Sequence, residues 1–435
     1  MHGTVGFLQT DRLERIILIV FACIGLVVLA LAIAGLLNKT IARRLKVLLL
    51  SVSVFLAVIS IAGFVYLSPL TGIGDTSPQL LVTDTVGSHG IPNLAVTFDT
   101  AQKTTGTLQW GKASPGSALT EQAAVRQHYF NLVNLEPGTD YWYRVNGGET
   151  YSFTTPDATG SPVRFAVGSD MHYGAADSDP AAKLKMLGII ASPSNDYDLF
   201  LSLGDMVEFG FNKAHWHDAF NAVSSASSVI PTALCVGNHE TLLAGLGPFE
   251  KLAYPDGINA NSGSKLWHRY DIGNAHFLTI DLEWNAESFT DEQAMWLEEP
   301  LKQIPAEDWT MVLGHCYYYA SGSMQNGWPW YDNKETIARL SPLFEKYGVD
   351  LVFSGHVHQM EFLQKNGVSY VVCGTFGGIP DAGRTYTSPA SLWYLVGENG
   401  FADVTLNGDE ATIVFRDPDN GVWYQTKVQK NTPGQ

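Results

Sequence analysis

The spacing of hydrophobic and polar positions divides the chain into three unlike parts. Ile16–Leu37 and Val47–Leu67 are uninterrupted apolar runs without a charged residue, and each is long enough to cross a bilayer as a helix. From about residue 79 to 155, short segments such as "NLAVTFDT" alternate apolar and polar positions between turn signals, which predicts antiparallel β-strands. From 163 to about 430, short apolar runs alternate with helical patterns, which predicts an α/β domain with a largely buried sheet.

The two apolar runs predict a membrane α-hairpin within residues 1–70. A secretory signal peptide is the alternative for the first run, because Ala32-Ile33-Ala34 resembles a cleavage site, but the run is too long for a signal sequence. The basic residues cluster between the runs, at Lys39, Arg43, Arg44 and Lys46. The positive-inside rule puts this basic loop in the cytoplasm. We therefore expect an integral membrane protein with transmembrane helices at 16–37 and 47–67 and its large C-terminal part extracytoplasmic.

The middle part predicts an all-β sandwich over residues 79–155. Its stretch Leu135–Tyr141, "LEPGTDY", resembles the tyrosine corner of fibronectin type III domains. No residue of this segment suggests catalysis, so a spacer or docking role is expected. The segment "TTPDATGSP" at 154–162 is a linker to the α/β part.

The charge balance excludes one class of partner. The chain has 43 acidic and 26 basic residues, for a net charge of −17, and part of the positive charge lies in the N-terminal loop. An acidic body repels polyanions, so nucleic acid is not expected as a partner unless metal cations screen the contact.

Five apolar runs of the α/β part end in the same way, with a glycine and then Asp, Asn or His. The runs are "VRFAVGSD", "DLFLSLGD", "IPTALCVGNHE", "TMVLGH" and "DLVFSGHVH", and they lead to Asp170 and His172, Asp205, Asn238 and His239, His315, and His356 and His358. Ligands bind beyond the carboxyl ends of strands in open α/β sheets, so these side chains should converge on one rim. One histidine after a strand is usually a turn or capping residue, but coincidence does not explain five strand ends.

The composition of this set indicates metal binding. Asp, Asn and His without cysteine suit divalent cations such as Mn, Fe or Zn, and seven candidate ligands exceed what one ion takes. Two ions about 3.5–4 Å apart clamp the attacking and leaving oxygens in phosphoryl hydrolysis. His356 and His358 would share one face of an extended segment, so each can serve one ion.

The five motifs resemble those of the calcineurin-like metallophosphoesterases in order and rough spacing, over residues 163 to about 375. The sandwich before them, "GHVH" and "VLGHCYYY" are more similar to the purple acid phosphatase branch, which carries a fibronectin-like domain before its catalytic domain. The resemblance implies a catalytic domain over 163–430 built as a four-layer α/β/β/α sandwich with two mixed sheets.

The resemblance also implies a ligand set for two divalent or trivalent ions (Mn, Fe or Zn). The first ion would take Asp170, His172, Asp205 and His358, and the second Asp205, Asn238, His315 and His356, with Asp205 bridging. Purple acid phosphatases have a colour-giving tyrosine where this chain has Glu208 and a non-ligand residue where it has His172, so no purple chromophore is expected. Phe362 replaces the arginine of "GHVHxxER".

By resemblance, the expected reaction is hydrolysis of phosphate esters by metal-bound hydroxide. We expect phosphomonoesters as substrates, and phosphodiesters are the alternative. His239 is not needed as a ligand, so it can protonate the leaving group or stabilise the transition state. Glu208 stands where the family places the carboxylate that orients this histidine. Glu240 is the second candidate for that role, and its side chain can as easily cap the following turn. Asn238 and His239 would contact the substrate.

Two questions stay open at this level. The aromatic loop at 315–333, "HCYYYASGSMQNGWPWYDN", can form a substrate wall or pack against the sandwich or membrane. The alternative to an enzyme is a membrane-anchored binding protein with a degenerate metal domain, although no ligand is missing.

Overall fold

The structure is a computed structural model that describes residues 11–37, 43–67, 72–86, 90–114, 116–158, 162–242, 245–254, 262, 264–325 and 327–431. The N-terminal apolar runs form two helices, α1 (Asp11–Leu37) and α2 (Arg43–Leu67). Within those described ranges, no helix is long and apolar enough to cross a membrane, so the predicted transmembrane hairpin is not supported. Lys39 of the predicted cytoplasmic loop lies outside the described residues.

The alternating segment forms seven strands. They are β1 (Gln79–Val86), β2 (Pro92–Thr104), β3 (Thr107–Gly111), β4 (Ser117–Thr120), β5 (Val125–Leu132), β6 (Asp140–Val145) and β7 (Thr150–Thr154). β3, β4, β6 and β7 make an antiparallel sheet of order β4-β3-β6-β7. The tyrosine-corner contact is present, because the Glu136 backbone N–H donates to the Tyr141 hydroxyl at 3.0 Å.

The remaining strands and helices follow the predicted alternation. The strands are β8 (Val163–Gly168), β9 (Leu199–Ser202), β10 (Thr232–Leu234), β11 (His268–Ile272), β12 (Ala275–Thr279), β13 (Trp309–Leu313), β14 (Ser323–Gln325), β15 (Trp328–Trp330), β16 (Leu351–Ser354), β17 (Met360–Lys365), β18 (Val368–Cys373), β19 (Ser391–Leu395), β20 (Phe401–Asn407), β21 (Glu410–Arg416) and β22 (Val422–Gln429). The helices are α3 (Pro180–Ile190), α4 (Lys213–Ser227), α5 (Asn238–Thr241), α6 (Leu246–Leu252), α7 (Asp291–Gln303) and α8 (Lys334–Tyr347).

Two mixed sheets pack face to face. One has the order β22-β21-β20-β8-β9-β10-β1-β2-β5 and the other β11-β12-β13-β16-β18-β17-β19. Between them Phe165 meets Phe277 and Phe353 edge to face, with ring centroids 5.3 and 5.8 Å apart. The outer faces pack against α3 and α4 on one side and α7 and α8 on the other, which confirms the α/β/β/α arrangement.

The predicted boundary between sandwich and catalytic domain does not separate the sheets. β1 pairs in parallel with β10 through Leu81 and Thr232, so β1, β2 and β5 extend the catalytic sheet to nine strands. The Tyr143 hydroxyl also donates to the Ser228 carbonyl oxygen at 2.8 Å. Apolar residues of both parts share one core.

Candidate metal centre

The five strand ends converge, but they come from two sheets and not from one rim. β8, β9 and β10 are parallel neighbours in the nine-stranded sheet, and β13 and β16 are parallel neighbours in the seven-stranded sheet. Since the two sheets are packed face to face, their carboxyl ends meet at one edge of the sandwich. The seven predicted ligands lie together there.

The first ligand set surrounds Asp170. Its Oδ1 atom is 3.2 Å from His358 Nε2 and 3.8 Å from His172 Nε2, and the two imidazole nitrogens are 3.2 Å apart. Asp170 Oδ1 is buried and has no hydrogen-bond partner in the structure. A buried, unpartnered carboxylate oxygen facing two imidazoles fits a cation-binding position, because burial without a partner is costly.

The second ligand set surrounds Asn238. Its Oδ1 atom is 2.9 Å from His315 Nε2 and 2.7 Å from His356 Nδ1, and these two nitrogens are 3.1 Å apart. All three side chains are buried. Nitrogen and oxygen donors converging at such distances suit a divalent cation of the Mn, Fe or Zn type.

Asp205 connects the two sets. Its Oδ2 atom lies 3.8 Å from His172 Nε2 in the first set and 3.3 Å from His315 Nε2 in the second. The same carboxylate accepts a hydrogen bond from the His239 backbone N–H through Oδ1, at 2.8 Å. One carboxylate oxygen therefore faces both positions, as a bridging ligand must.

The ligands sit on unusual backbone. Positive φ angles between 49° and 67° occur at Asp170, His172, Asp205 and His356, a region that residues other than glycine seldom adopt and that marks functional sites. His356 therefore does not lie in an extended segment, and the prediction that it shares one face of such a segment with His358 is wrong. The two imidazoles still serve different sets because the chain turns between them. Gly355 permits the close packing of this turn, since a Cβ there would overlap Ser169 Oγ and the Asp170 carboxylate.

Hydrogen bonds to the second ring nitrogen orient three of the histidines predicted to be ligands. His315 Nδ1 donates to the Leu203 carbonyl oxygen at 2.9 Å, and His358 Nδ1 donates to the Ile379 carbonyl oxygen at 2.6 Å. His172 Nδ1 contacts Glu208 Oε2 at 2.9 Å. Each bond leaves Nε2 facing the ligand cluster, which is the usual way proteins fix the tautomer of a metal-binding histidine.

The Glu208 carboxylate is expected to orient His239, but in the structure it lies closer to His172. Its carboxylate lies 2.9 Å from His172 Nδ1 but 3.7 Å from His239 Nδ1. His239 Nδ1 donates instead to the backbone carbonyl oxygen of Glu208, at 2.7 Å. Glu208 is thus a positioning residue for a ligand, and its main chain orients His239. The His239 ring stands edge-on to His172, with centroids 4.5 Å apart.

Glu240 caps its own turn through the Gly237 N–H, and it also holds a second loop that the sequence did not indicate. Its buried carboxylate accepts backbone N–H groups of the loop that carries Asp205, and it also accepts the N–H of Gly237 at 2.8 Å. Burial and the charge of Asp205 raise the pKa of Glu240 to about 7. The motif "GNHE" contained the residue, but nothing local in the sequence identified its distant partners.

The carboxylates and imidazoles of the cluster perturb one another. Burial alone would lower the pKa of His172, and the carboxylates of Asp170 and Glu208 raise it to about 10. Burial likewise opposes a charged His315, yet Asp205 and Asp170 raise its pKa to about 9. Burial opposes ionisation of Asp170, but the neighbouring imidazoles hold its pKa well below its usual value. The cluster therefore concentrates negative charge that attracts protons or cations.

Comparisons with known proteins agree with this geometry. The calcineurin-like phosphoesterase family profile matches residues 163–360. Purple acid phosphatase 18 of Arabidopsis thaliana is 25% identical over 293 residues, which cover 63% of this chain and 63% of the relative. Acid phosphatase type 7 of Homo sapiens is 27% identical over 262 residues, covering 54% and 56%.

The fold has a solved counterpart. A purple acid phosphatase from yellow lupin (Lupinus luteus) seeds aligns with a TM-score of 0.67 and 18% identity, over 82% of this chain and 75% of that one. The chain spans between about half and two thirds of the length of the first curated relatives it matches. Residues 163–360 form a domain of the calcineurin-like phosphoesterase family, and the chain is similar to the purple acid phosphatase branch of that family.

Proposed function

We propose that the chain hydrolyses phosphate esters, phosphomonoesters above all, with two metal ions held by the seven clustered ligands. The observation that carries the proposal is the position of Asp205 Oδ2, 3.8 Å from His172 Nε2 and 3.3 Å from His315 Nε2. A carboxylate oxygen shared by two buried donor sets supports a dinuclear site better than a single-ion site. Two cations, when bound, activate a water nucleophile and neutralise phosphoryl charge.

The protein's own contribution is to hold and orient these groups. Asp170, His172 and His358 would hold the first ion, and Asn238, His315 and His356 the second, with Asp205 shared. The Asn238 amide oxygen faces the two imidazoles of its set and would join them in holding the second ion, so its amide nitrogen is the group left to contact a phosphoryl oxygen. His239 is the partly exposed histidine beside the cluster.

His239 is proposed to handle the proton of the leaving group. Its Nδ1–H donates to the Glu208 carbonyl oxygen, so in the neutral ring Nε2 carries no proton and accepts. In the imidazolium form Nε2–H can donate to the departing alkoxide, which leaves as the alcohol while His239 becomes neutral. Nε2 lies 4.0 Å from Asp205 Oδ2, next to the shared ligand.

A phosphodiesterase is the second candidate. His172 favours it, because a histidine ligand at this position also suits the diester-cleaving members that the family resemblance implies. The purple acid phosphatase-like branch favours monoesters. The same structure would serve both reactions, since the ligand set is common to them.

One experiment tests both candidates. The purified full-length chain, loaded with Mn²⁺, is assayed on 4-nitrophenyl phosphate and on bis(4-nitrophenyl) phosphate, beside Asp205→Asn and a control, Asp409→Asn, whose side chain is 79% exposed in the β20–β21 turn. We expect monoester turnover that Asp205→Asn abolishes and Asp409→Asn preserves. A higher rate on the diester would select the second candidate. No turnover of either ester with two ions bound would support a binding protein instead.

The extracytoplasmic location and the membrane anchor remain predictions from the basic loop and apolar runs. Extraction of cell membranes with alkaline carbonate tests the anchor. Accessibility of residues beyond 163 to added protease in intact cells tests the location, and full protection would place this part inside.

A further inference from the structure

Three aromatic side chains surround His356, a ligand of the second set. The Trp330 ring is stacked on the imidazole, with centroids 4.8 Å apart and planes 8° from parallel. Tyr317 is also nearly parallel to it at 5.9 Å, and Trp284 meets it edge-on at 5.8 Å. We call Trp284, Tyr317 and Trp330 the aromatic wall. Trp284 and Trp330 are half-buried, whereas Tyr317 is buried.

The aromatic wall is held by a hairpin and by a second loop. Trp330 ends β15, which pairs with β14, and the Gly322 carbonyl oxygen before β14 accepts the backbone N–H groups of Thr385 and Tyr386 at 2.9 Å. The Tyr386 hydroxyl donates to Asp332 Oδ2 at 2.5 Å, and its ring stacks on Tyr331 with centroids 4.3 Å apart. The hairpin is therefore fixed at its base.

The second loop also reaches the first ligand set. Ile379 accepts the Nδ1–H of His358, and the Asp381 backbone N–H donates to the His358 carbonyl oxygen at 2.8 Å. Gln325 of β14 links the hairpin to this second loop, because its side-chain amide donates to Asp381 Oδ1 at 3.4 Å. The hairpin that carries Trp330 is thus connected to His356 of the second set and, through the second loop, to His358 of the first set.

We propose that the aromatic wall receives the organic group of the substrate and selects phosphate esters of aromatic or comparably flat, apolar alcohols. This inference rests on the proposed function. His239 stands against His172 of the first set and the wall against His356 of the second, so an ester held between the sets has a flat apolar surface on one side. Aromatic faces bind flat apolar groups by stacking, worth about twofold to tenfold in affinity.

The competing role for Trp330 is to cover His356 and hold it in place. The two roles differ in what a truncation does. If Trp330 only covers His356, its truncation should weaken metal binding at the second position and the binding of all phosphoryl ligands equally. If Trp330 contacts the substrate, its truncation should weaken the binding of only those ligands that carry a ring. The comparison must therefore use paired ligands that differ in the organic group alone.

The test measures binding of phenylphosphonate and methylphosphonate to the full Mn²⁺-loaded chain by calorimetry, with metal content determined on the same samples. We expect the wild type to prefer phenylphosphonate, Trp330→Ala to lower that preference about fivefold, and Trp330→Phe to retain most of it. Met324→Ala is the matched control, because Met324 is exposed in the same hairpin and pairs with Pro329, on the face opposite Trp330. It should leave the preference unchanged.

The outcomes separate the two proposals. The proposed role of the aromatic wall is overturned if Trp330→Ala leaves the ratio of phenylphosphonate to methylphosphonate affinity unchanged. It is also overturned if both phosphonates lose affinity equally and metal is lost with them. If the variants nevertheless hydrolyse methyl phosphate like the wild type, the proposed function stands without it. If the wild type hydrolyses neither methyl nor phenyl phosphate, the proposed function fails, and the selection of esters fails with it.

Discussion

Glu240 and Asp205 are joined by a buried clamp. Glu240 Oε2 accepts the backbone N–H of Asp205 at 2.7 Å, and Oε1 accepts that of Met206 at 2.7 Å. The carboxylate also bonds Gly237, immediately before the ligand Asn238. One side chain therefore fixes the spacing between the shared carboxylate and the amide ligand of the second set, although it touches neither metal position.

The clamp predicts that Glu240→Gln weakens metal binding. The amide nitrogen of glutamine would face backbone N–H donors that need an acceptor, so the loop should shift and Asp205 with it. We expect affinity for Mn²⁺ to fall about tenfold or more, the usual effect of removing a partner that orients a ligand. Calorimetric titration of the metal-free chain measures it, with the partly exposed Glu410→Gln as control. Wild-type Mn²⁺ affinity in Glu240→Gln would show that the loop carrying Asp205 keeps its position without this carboxylate.

The contact between Glu208 and His172 predicts a defect limited to one metal position. Glu208→Gln removes the carboxylate 2.9 Å from His172 Nδ1, while the backbone carbonyl that orients His239 remains. We expect one of the two ions to bind about 10- to 100-fold more weakly, with kcat recovering at saturating Mn²⁺. Metal stoichiometry and turnover at rising Mn²⁺ measure this. A low kcat that saturating metal does not restore would give Glu208 a part in the chemistry.

His239→Ala should lower kcat without weakening metal binding, the reverse of the effect expected for Glu208→Gln. His239 is not among the seven ligands, so two ions should still bind with wild-type affinity. If His239 donates the proton to the leaving group, kcat should fall roughly 100-fold or more. The loss should shrink for an ester whose alcohol is acidic, since such a leaving group needs no proton. An equal loss for all leaving groups would assign His239 to charge stabilisation, and unchanged turnover would remove it from the mechanism.

Metal binding should depend on pH in a predictable direction. Without metal, neighbouring carboxylates raise the pKa of His172 to about 10 and that of His315 to about 9, against the effect of burial. Cations bind neutral imidazole, so binding at pH 7 must release these protons, and apparent affinity should rise from pH 5 to pH 8. Titrations in buffers of different ionisation enthalpy count the protons. Binding without proton release would contradict the assignment of both histidines as ligands.

The ligand cluster was predictable because buried strands cannot end in Asp, Asn and His without cause. The start of helix α7 is likewise encoded locally, because the Thr290 side chain caps it and Asp291 and Glu292 lie in its first turn. These signals are local in the chain.

Features that depend on distant contacts were not predictable. Glu240 follows His239 in sequence, yet its partners Asp205 and Met206 lie on another loop. Leu81 pairs with Thr232 across the predicted domain boundary, and an alternating strand does not show which sheet it will join. The left-handed backbone of His356 is imposed by the packed turn around it, not by the residue's own preference.

Asp281 provides a test of stability away from the ligands. Its carboxyl is buried with Oδ1 unpartnered, and burial, together with the charge of Glu250, raises its pKa to about 8. In the unfolded chain an aspartate loses its proton near pH 4. The folded state thus keeps a proton that the unfolded state gives up, and this group lowers the free energy of unfolding as pH rises from about 4 to about 8.

Asp281→Asn replaces the carboxyl with a neutral group of the same shape and should remove that loss. We expect the stability advantage of the variant over the wild type to be larger at pH 8.5 than at pH 4.5, by at least about 1 kcal/mol. Thermal or denaturant unfolding of the metal-loaded chain at both pH values measures the difference. Asp409→Asn, on the surface, is the control that should not depend on pH in this way. A variant less stable than the wild type at pH 8.5 would mean that the ionised Asp281 has a stabilising partner in the folded protein.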